Sequence, residues 1–128
     1  MPARLLLAED DREVRSLLAY ALRKDGYQII EAATGAELRS YLGSSVDRVQ
    51  GFELPDLVVT DLRMPGKTGL EVLAWMRDLG CAIPVILVTA FGDPETHAEA
   101  RRLGAVAVLD KPFDIGVLRA EVSAVFAR

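Results

Sequence analysis

The sequence predicts an α/β protein: a doubly wound, five-stranded parallel sheet in the order 2-1-3-4-5, with five helices. Three observations predict it. Short apolar runs, each too brief for a helix, alternate with amphipathic helical patterns along the whole chain. Most of the runs are aliphatic rather than alternating with polar residues, which is how strands buried on both faces read. Charged or hydroxyl residues stand directly behind most of these runs, where open α/β sheets place their ligands.

Leu5–Ala8 is the first such run, and Asp11 precedes a helical pattern with Val14, Leu17, Leu18, Ala21 and Leu22 on one face. Gly26 stops that helix, and residues 27–30 form the second strand. Thr34, with Glu37 three residues on, makes a capping box for a helix carrying Leu38, Tyr41 and Leu42. Residues 43–55 are the least regular stretch, in which Val46, Val49 and Phe52 either continue the helix or pack a loop. A third strand over 57–60 runs into Asp61. Pro65-Gly66 is a turn, 70–79 is helical, and 85–88 is the fourth strand. Asp93-Pro94 pairs an N-cap with proline at the first helical position, for a helix to Leu103 with Gly104 behind it. Residues 106–109 make the fifth strand, and Asp114 caps a last helix to about Phe126.

At 128 residues the chain fits one domain, 1–128. Half of the residues are apolar, enough for a core without disulfide staples, and Cys81 stands alone, so no disulfide framework or cysteine metal site forms. A net charge of −4 argues against direct nucleic-acid binding. The first apolar run is too short for a signal-peptide core or a membrane span. The expectation is a cytoplasmic domain with no membrane contact.

Five alternating units favour the order 2-1-3-4-5, whose switch point lies between strands 1 and 3. Glu9 and Asp10 follow strand 1, Asp61 follows strand 3, Thr89 closes strand 4 and Lys111 follows strand 5. Three carboxylates in one place repel one another. A hard divalent cation relieves the repulsion, and an oxygen-only set with few protein ligands suits Mg²⁺ (or Mn²⁺). With that cation and Lys111 the local charge balances, and the site can receive a phosphoryl group. The Asp61 carboxylate can then attack phosphorus to give an aspartyl phosphate.

At this point four motifs resemble a known family: Leu-Leu-Leu-Ala-Glu-Asp-Asp at 5–11, Pro-Asp-Leu-Val-Val-Thr-Asp-Leu-Arg-Met-Pro-Gly at 55–66, Val-Ile-Leu-Val-Thr-Ala at 85–90 and Lys-Pro-Phe at 111–113. Together, and in this order, they are similar to the receiver domains of two-component response regulators, with their flavodoxin-like fold. The resemblance covers essentially the whole chain. It implies Asp61 as phosphoacceptor, with Asp10, Asp61 and the backbone carbonyl of Arg63 as direct metal ligands and Glu9 holding the metal through water. It implies that Thr89 and Lys111 bind the phosphoryl oxygens, that Ala90 stays small beside Thr89, and that the Lys111–Pro112 bond is cis. The implied donor is a sensor histidine kinase or a histidine phosphotransfer protein. The implied output is an unnamed partner, a C-terminal effector domain or a phosphorylation-dependent homodimer. The resemblance further implies that the domain catalyses only its own phosphorylation and dephosphorylation.

Two features depart from that pattern. Many receivers carry a mobile aromatic three residues before the lysine, where this chain has Val108, which has one stiff torsion and nothing to swing. Phe91 or the helix after it is left to carry the change. The stretch between Leu42 and Pro55 is also longer than in a compact receiver. Other residues have plainer readings: His97 on an exposed helix, Cys81 as a filler, Trp75 and Met76 as core or interface, and Arg101 and Arg102 on a solvated face. An aspartate-nucleophile phosphatase needs an acid two residues after the nucleophile, where Arg63 stands. No glycine-rich nucleotide loop occurs. A phosphate sink or a pseudo-receiver interaction module remains as the alternative.

Overall fold

The computed structural model describes residues 2–46, 55–63, 68–90 and 92–127. Strands and helices alternate in chain order: β1 Arg4–Ala8, α1 Arg12–Lys24, β2 Gln28–Ala32, α2 Gly35–Val46, β3 Leu57–Asp61, α3 Gly69–Asp78, β4 Val85–Thr89, α4 Pro94–Arg102, β5 Ala107–Asp110 and α5 Ile115–Phe126. All four strand pairings are parallel, and the sheet order is β2-β1-β3-β4-β5. The expected fold and order are both met, with strand ends moved by a residue or two.

Successive strand residues face opposite sides of the sheet, and here each side meets its own helices. Leu6, Ala8, Val58, Val85 and Leu87 pack with Leu38 and Leu42 of α2, Leu73 and Met76 of α3, and Ala100 of α4. Leu5, Leu7, Leu57, Val59, Ile86 and Val88 pack with Leu18 and Leu22 of α1 and with Leu118 and Val122 of α5. Leu5, Leu6, Leu57 and Leu87 are fully buried, and truncating any of them to alanine costs roughly 2–5 kcal/mol.

The helix starts are set locally. Asp11, Thr68, Asp93 and Asp114 each accept a backbone N–H of their own first turn, from Val14, Glu71, Thr96 and Gly116 at 2.7–3.1 Å. Such caps contribute about 1 kcal/mol each. Thr34 accepts the Glu37 N–H at 3.0 Å, and Glu37 reaches back to the Ala33 N–H at 3.1 Å, one residue earlier than a strict capping box. Gly26 has φ +98°, which a side chain would strain.

Several expectations change. Leu17 is 60% exposed and Tyr41 41% exposed, so neither lies on the core face of its helix. α2 continues through Val46. Val49, Phe52, the Pro65-Gly66 turn and Phe91 lie outside the described residues. Met76 is buried, while Trp75 is half-buried with the Arg39 guanidinium 4.8 Å from its ring. Arg101 and Arg102 are exposed, with Arg102 paired to Glu99. Arg77, which no pattern singled out, donates to the carbonyls of Leu103, Cys81 and Ile83 at 2.8–3.2 Å, tying α3 to the end of α4. No helix among the described residues is long and apolar enough to cross a membrane.

Candidate functional site

Sheet register builds the site. Ala8 is level with Thr60, so Glu9 and Asp61 emerge side by side where β1 meets β3. Asp61 is level with Val88, which sets Thr89 one residue beyond. Thr89 is level with Asp110, so Lys111 leaves β5 at the same edge. The strands run through the aliphatic core, and their last or next residues meet the carboxyl-end crevice.

Glu9 is 2% exposed and Asp61 8% exposed, whereas Asp10 reaches solvent. One carboxylate oxygen from each of the three lies within 4.8 Å of the other two. Lys111 crosses the crevice to bind two of them, its Nζ 2.7 Å from Glu9 Oε1 and 2.6 Å from Asp61 Oδ2. The other Asp61 oxygen accepts the Arg63 N–H at 3.2 Å. Glu9 Oε2 accepts the Asp11 N–H at 3.2 Å. Among the described residues no buried side-chain nitrogen or oxygen lacks a partner.

Burial pushes the Glu9 carboxyl above its ordinary value. Lys111 and the Asp11 N–H pull the other way without cancelling the rise, to which Asp10 and Asp61 add. Burial works against the Lys111 ammonium too, but its bonds to Asp61 and Glu9 outweigh that and hold its pKa above the ordinary value. Lys111 therefore stays charged. One ammonium cannot neutralise three carboxylates, and the shortfall matches a divalent cation. The donor set is oxygen throughout, as a hard cation requires.

The other expected residues take distinct places. Thr89 is fully buried, and its carbonyl accepts the Lys111 N–H at 2.7 Å. Ala90 is exposed beside it. The Lys111–Pro112 bond is cis, as the resemblance implied. Ala90, Lys111 and Pro112 share the rim of an apolar groove with the exposed Leu17 of α1. Val108 is not at the acidic cluster: it is level with Leu87 and packs half-buried on the α2–α3–α4 side.

The family model of the response regulator receiver domain matches residues 5–123. The chain belongs to that family. Sporulation initiation phosphotransferase F of Bacillus subtilis is 36% identical over 119 residues, which are 93% of this chain and 90% of that protein. Transcriptional regulatory protein PdtaR of Mycobacterium tuberculosis is 36% identical over 120 residues, 92% of this chain but 54% of that regulator. This receiver domain thus spans nearly all of one relative and about half of the other. The receiver domain of the Francisella response regulator 1452 superposes with a TM-score of 0.88, at 25% identity and with 98% of each chain covered.

One group near the receiver's crevice escaped the sequence reading. His97 of α4 was expected on an exposed face. Its side chain is only 20% exposed, and its Nε2 lies 2.9 Å from Asp110 Oδ1 at the end of β5. Gly92 packs against both, since a Cβ there would overlap the Asp110 carboxylate. Asp110-Lys111 in sequence gave the aspartate no reason to stand out; only the seating of α4 brings it to His97.

Proposed function

We propose that residues 1–128 act as one receiver domain in which Asp61 accepts a phosphoryl group from the phosphohistidine of a sensor histidine kinase or a histidine phosphotransfer protein. The single observation that carries this reading is Lys111 pinned between Glu9 and Asp61. It sets a fixed cation against the Asp61 carboxylate, the group that would serve as nucleophile toward phosphorus. An Asp61 oxygen attacks phosphorus, the phosphorus–nitrogen bond to the imidazole breaks, and the imidazole leaves with a proton. Lys111 then moves its charge from the free carboxylate to the phosphoryl oxygens, and the Thr89 hydroxyl donates to them.

Glu9, Asp10, Asp61 and the Arg63 carbonyl would hold Mg²⁺ or Mn²⁺, which supplies the positive charge that Lys111 alone cannot. The chemistry is confined to the domain's own phosphorylation and dephosphorylation, in a cytoplasmic setting. The groove beside Lys111, with Leu17, Leu18, Pro112 and Phe113 on its walls, is where we place the donor protein. Because the Lys111 N–H is bonded to the Thr89 carbonyl, a shift of either residue toward the phosphoryl group moves the ends of β4 and β5 together. That edge then presents the output surface, to an effector domain, a separate partner or a second copy of the chain.

Incubation with a small-molecule phosphodonor and Mg²⁺, followed by intact mass, tests the reading. The wild type gains one phosphoryl group, chelation of the metal stops the gain, and Asp61→Asn gains none. Uptake by Asp61→Asn at the wild-type rate contradicts the assignment.

A further inference from the structure

β1 stops at Ala8, and the next two residues do something a strand cannot. Consecutive strand side chains point to opposite faces. Glu9 is buried and Asp10 exposed, yet a carboxylate oxygen of each lies within 4.8 Å of the other and of Asp61. Adjacent side chains converge in this way only where the backbone between them leaves the extended form. The Glu9 N–H still bonds the Ala32 carbonyl at 3.0 Å, but the strand pairings end at Ala8, so the Glu9 carbonyl lies past the ladder. A carbonyl at a buried residue needs another donor.

Arg15 is that donor. Its Nη1 lies 2.8 Å from the Glu9 carbonyl oxygen. The guanidinium is itself aimed by Glu31 on β2, whose Oε1 accepts from Arg15 Nε at 3.3 Å while its Oε2 accepts from Arg23 Nη2 at 3.2 Å. The Arg15 side chain is 16% exposed, so the grip is shielded from water.

We propose that Arg15 is a positioning residue for the acidic cluster: by holding the Glu9 carbonyl it fixes the Glu9–Asp10 peptide and keeps the Asp10 carboxylate beside Asp61. The need for such a grip follows from the charges. Three carboxylates share one ammonium, and Asp10, already at the surface, is the one that can escape into water at least cost. A clamp on the peptide opposes that escape before any cation arrives. The proposal rests on the reading of the cluster as a divalent-metal site, and groups that orient metal ligands typically change metal affinity by about 10–100-fold.

The test is Mg²⁺ titration of the unphosphorylated protein, followed by backbone amide signals. Wild type is compared with Arg15→Ala, Arg15→Lys, Glu31→Ala and, as a control, Arg77→Ala, whose guanidinium holds backbone carbonyls far from the cluster. Arg15→Ala is expected to weaken Mg²⁺ binding about 10-fold or more, with Glu31→Ala giving a smaller loss. Arg77→Ala lowers Tm but leaves the affinity unchanged. Wild-type affinity in folded Arg15→Ala overturns the proposal, as does an equal loss in Arg77→Ala, which would mean general loosening. Full affinity in Arg15→Lys overturns it as well, by showing that charge suffices without the two-point grip. Should Arg15→Ala not fold, an unchanged affinity in Glu31→Ala overturns it instead. A wild type that binds no Mg²⁺ removes the metal-site reading first, and the proposal with it, whereas a wild type that binds while the variants do not differ removes only the role of Arg15.

Discussion

Among the described residues, Gly69 and Gly92 border the crevice, one at each end, and they are crowded by different things. A Cβ on Gly69 would lie 2.6 Å from the Asp61 carbonyl oxygen and 3.1 Å from Leu62 Cα. Its N–H also bonds the Leu62 carbonyl at 2.7 Å. The obstacle is the backbone at the end of a central strand, which cannot yield without displacing Asp61. A Cβ on Gly92 would instead overlap the tip of the Asp110 side chain. Asp110 is exposed, and its carboxylate can turn away. The Asp61 end of the crevice is therefore built on backbone and register. The α4–β5 edge is held by side chains that can let go. A phosphorylation switch needs both kinds of region, one that does not move when charged and one that moves cheaply.

Gly69→Ala tests the rigid end and carries the largest expected effect. Overpacking against backbone costs about 1–3 kcal/mol, read as a lower denaturant midpoint, and the displaced Asp61 takes up phosphoryl groups more slowly than wild type. Normal stability and normal uptake would mean that the Asp61 end is as compliant as the other. Gly92→Ala is expected to cost about 1 kcal/mol, the net worth of one ordinary hydrogen bond. Its mark is local: Asp110 turns out, and the ring signals of His97 come to match those of Asp110→Asn, while uptake at Asp61 stays near wild type. A loss as large as that of Gly69→Ala would erase the distinction.

The smallest effect lies away from both regions. Arg119 of α5 binds Asp25 behind α1 with two hydrogen bonds of 2.7–2.8 Å, and these hold the Asp25 carboxyl below its ordinary value. A lowered carboxylate pKa contributes stability that is present above its unfolded value and is lost as pH falls through the folded one. Arg119→Gln is thus slightly less stable than wild type at neutral pH, and the gap closes in acid as Asp25 protonates. A gap that persists in acid would assign the difference to packing.

The same division explains what could be read from the sequence. Leu5–Ala8 followed by Glu9, or Val58-Val59-Thr60 followed by Asp61, states both a buried strand and what stands at its end. Register then gathers those ends whatever the loops do. Lys111 was legible for the same reason. His97 was not, because its partner Asp110 depends on how α4 seats against β5, a tertiary fact with no short-range signal. Leu17 and Tyr41 fit a helical period yet face outward, since an apolar stripe wider than the helix contact leaves its margin exposed. Arg77 and Arg15 act on backbone carbonyls, and such partners leave no trace in side-chain spacing.

The central claim is that, of the three clustered carboxylates, Asp61 is the one that takes the phosphoryl group. Borohydride reduction of the phosphorylated protein, followed by peptide mass mapping, tests it most directly, because an acyl phosphate is reduced to an alcohol at the residue that carried it. The account predicts homoserine at position 61 and unchanged Glu9 and Asp10. A reduced residue at position 9 or 10, with Asp61 intact, would contradict it.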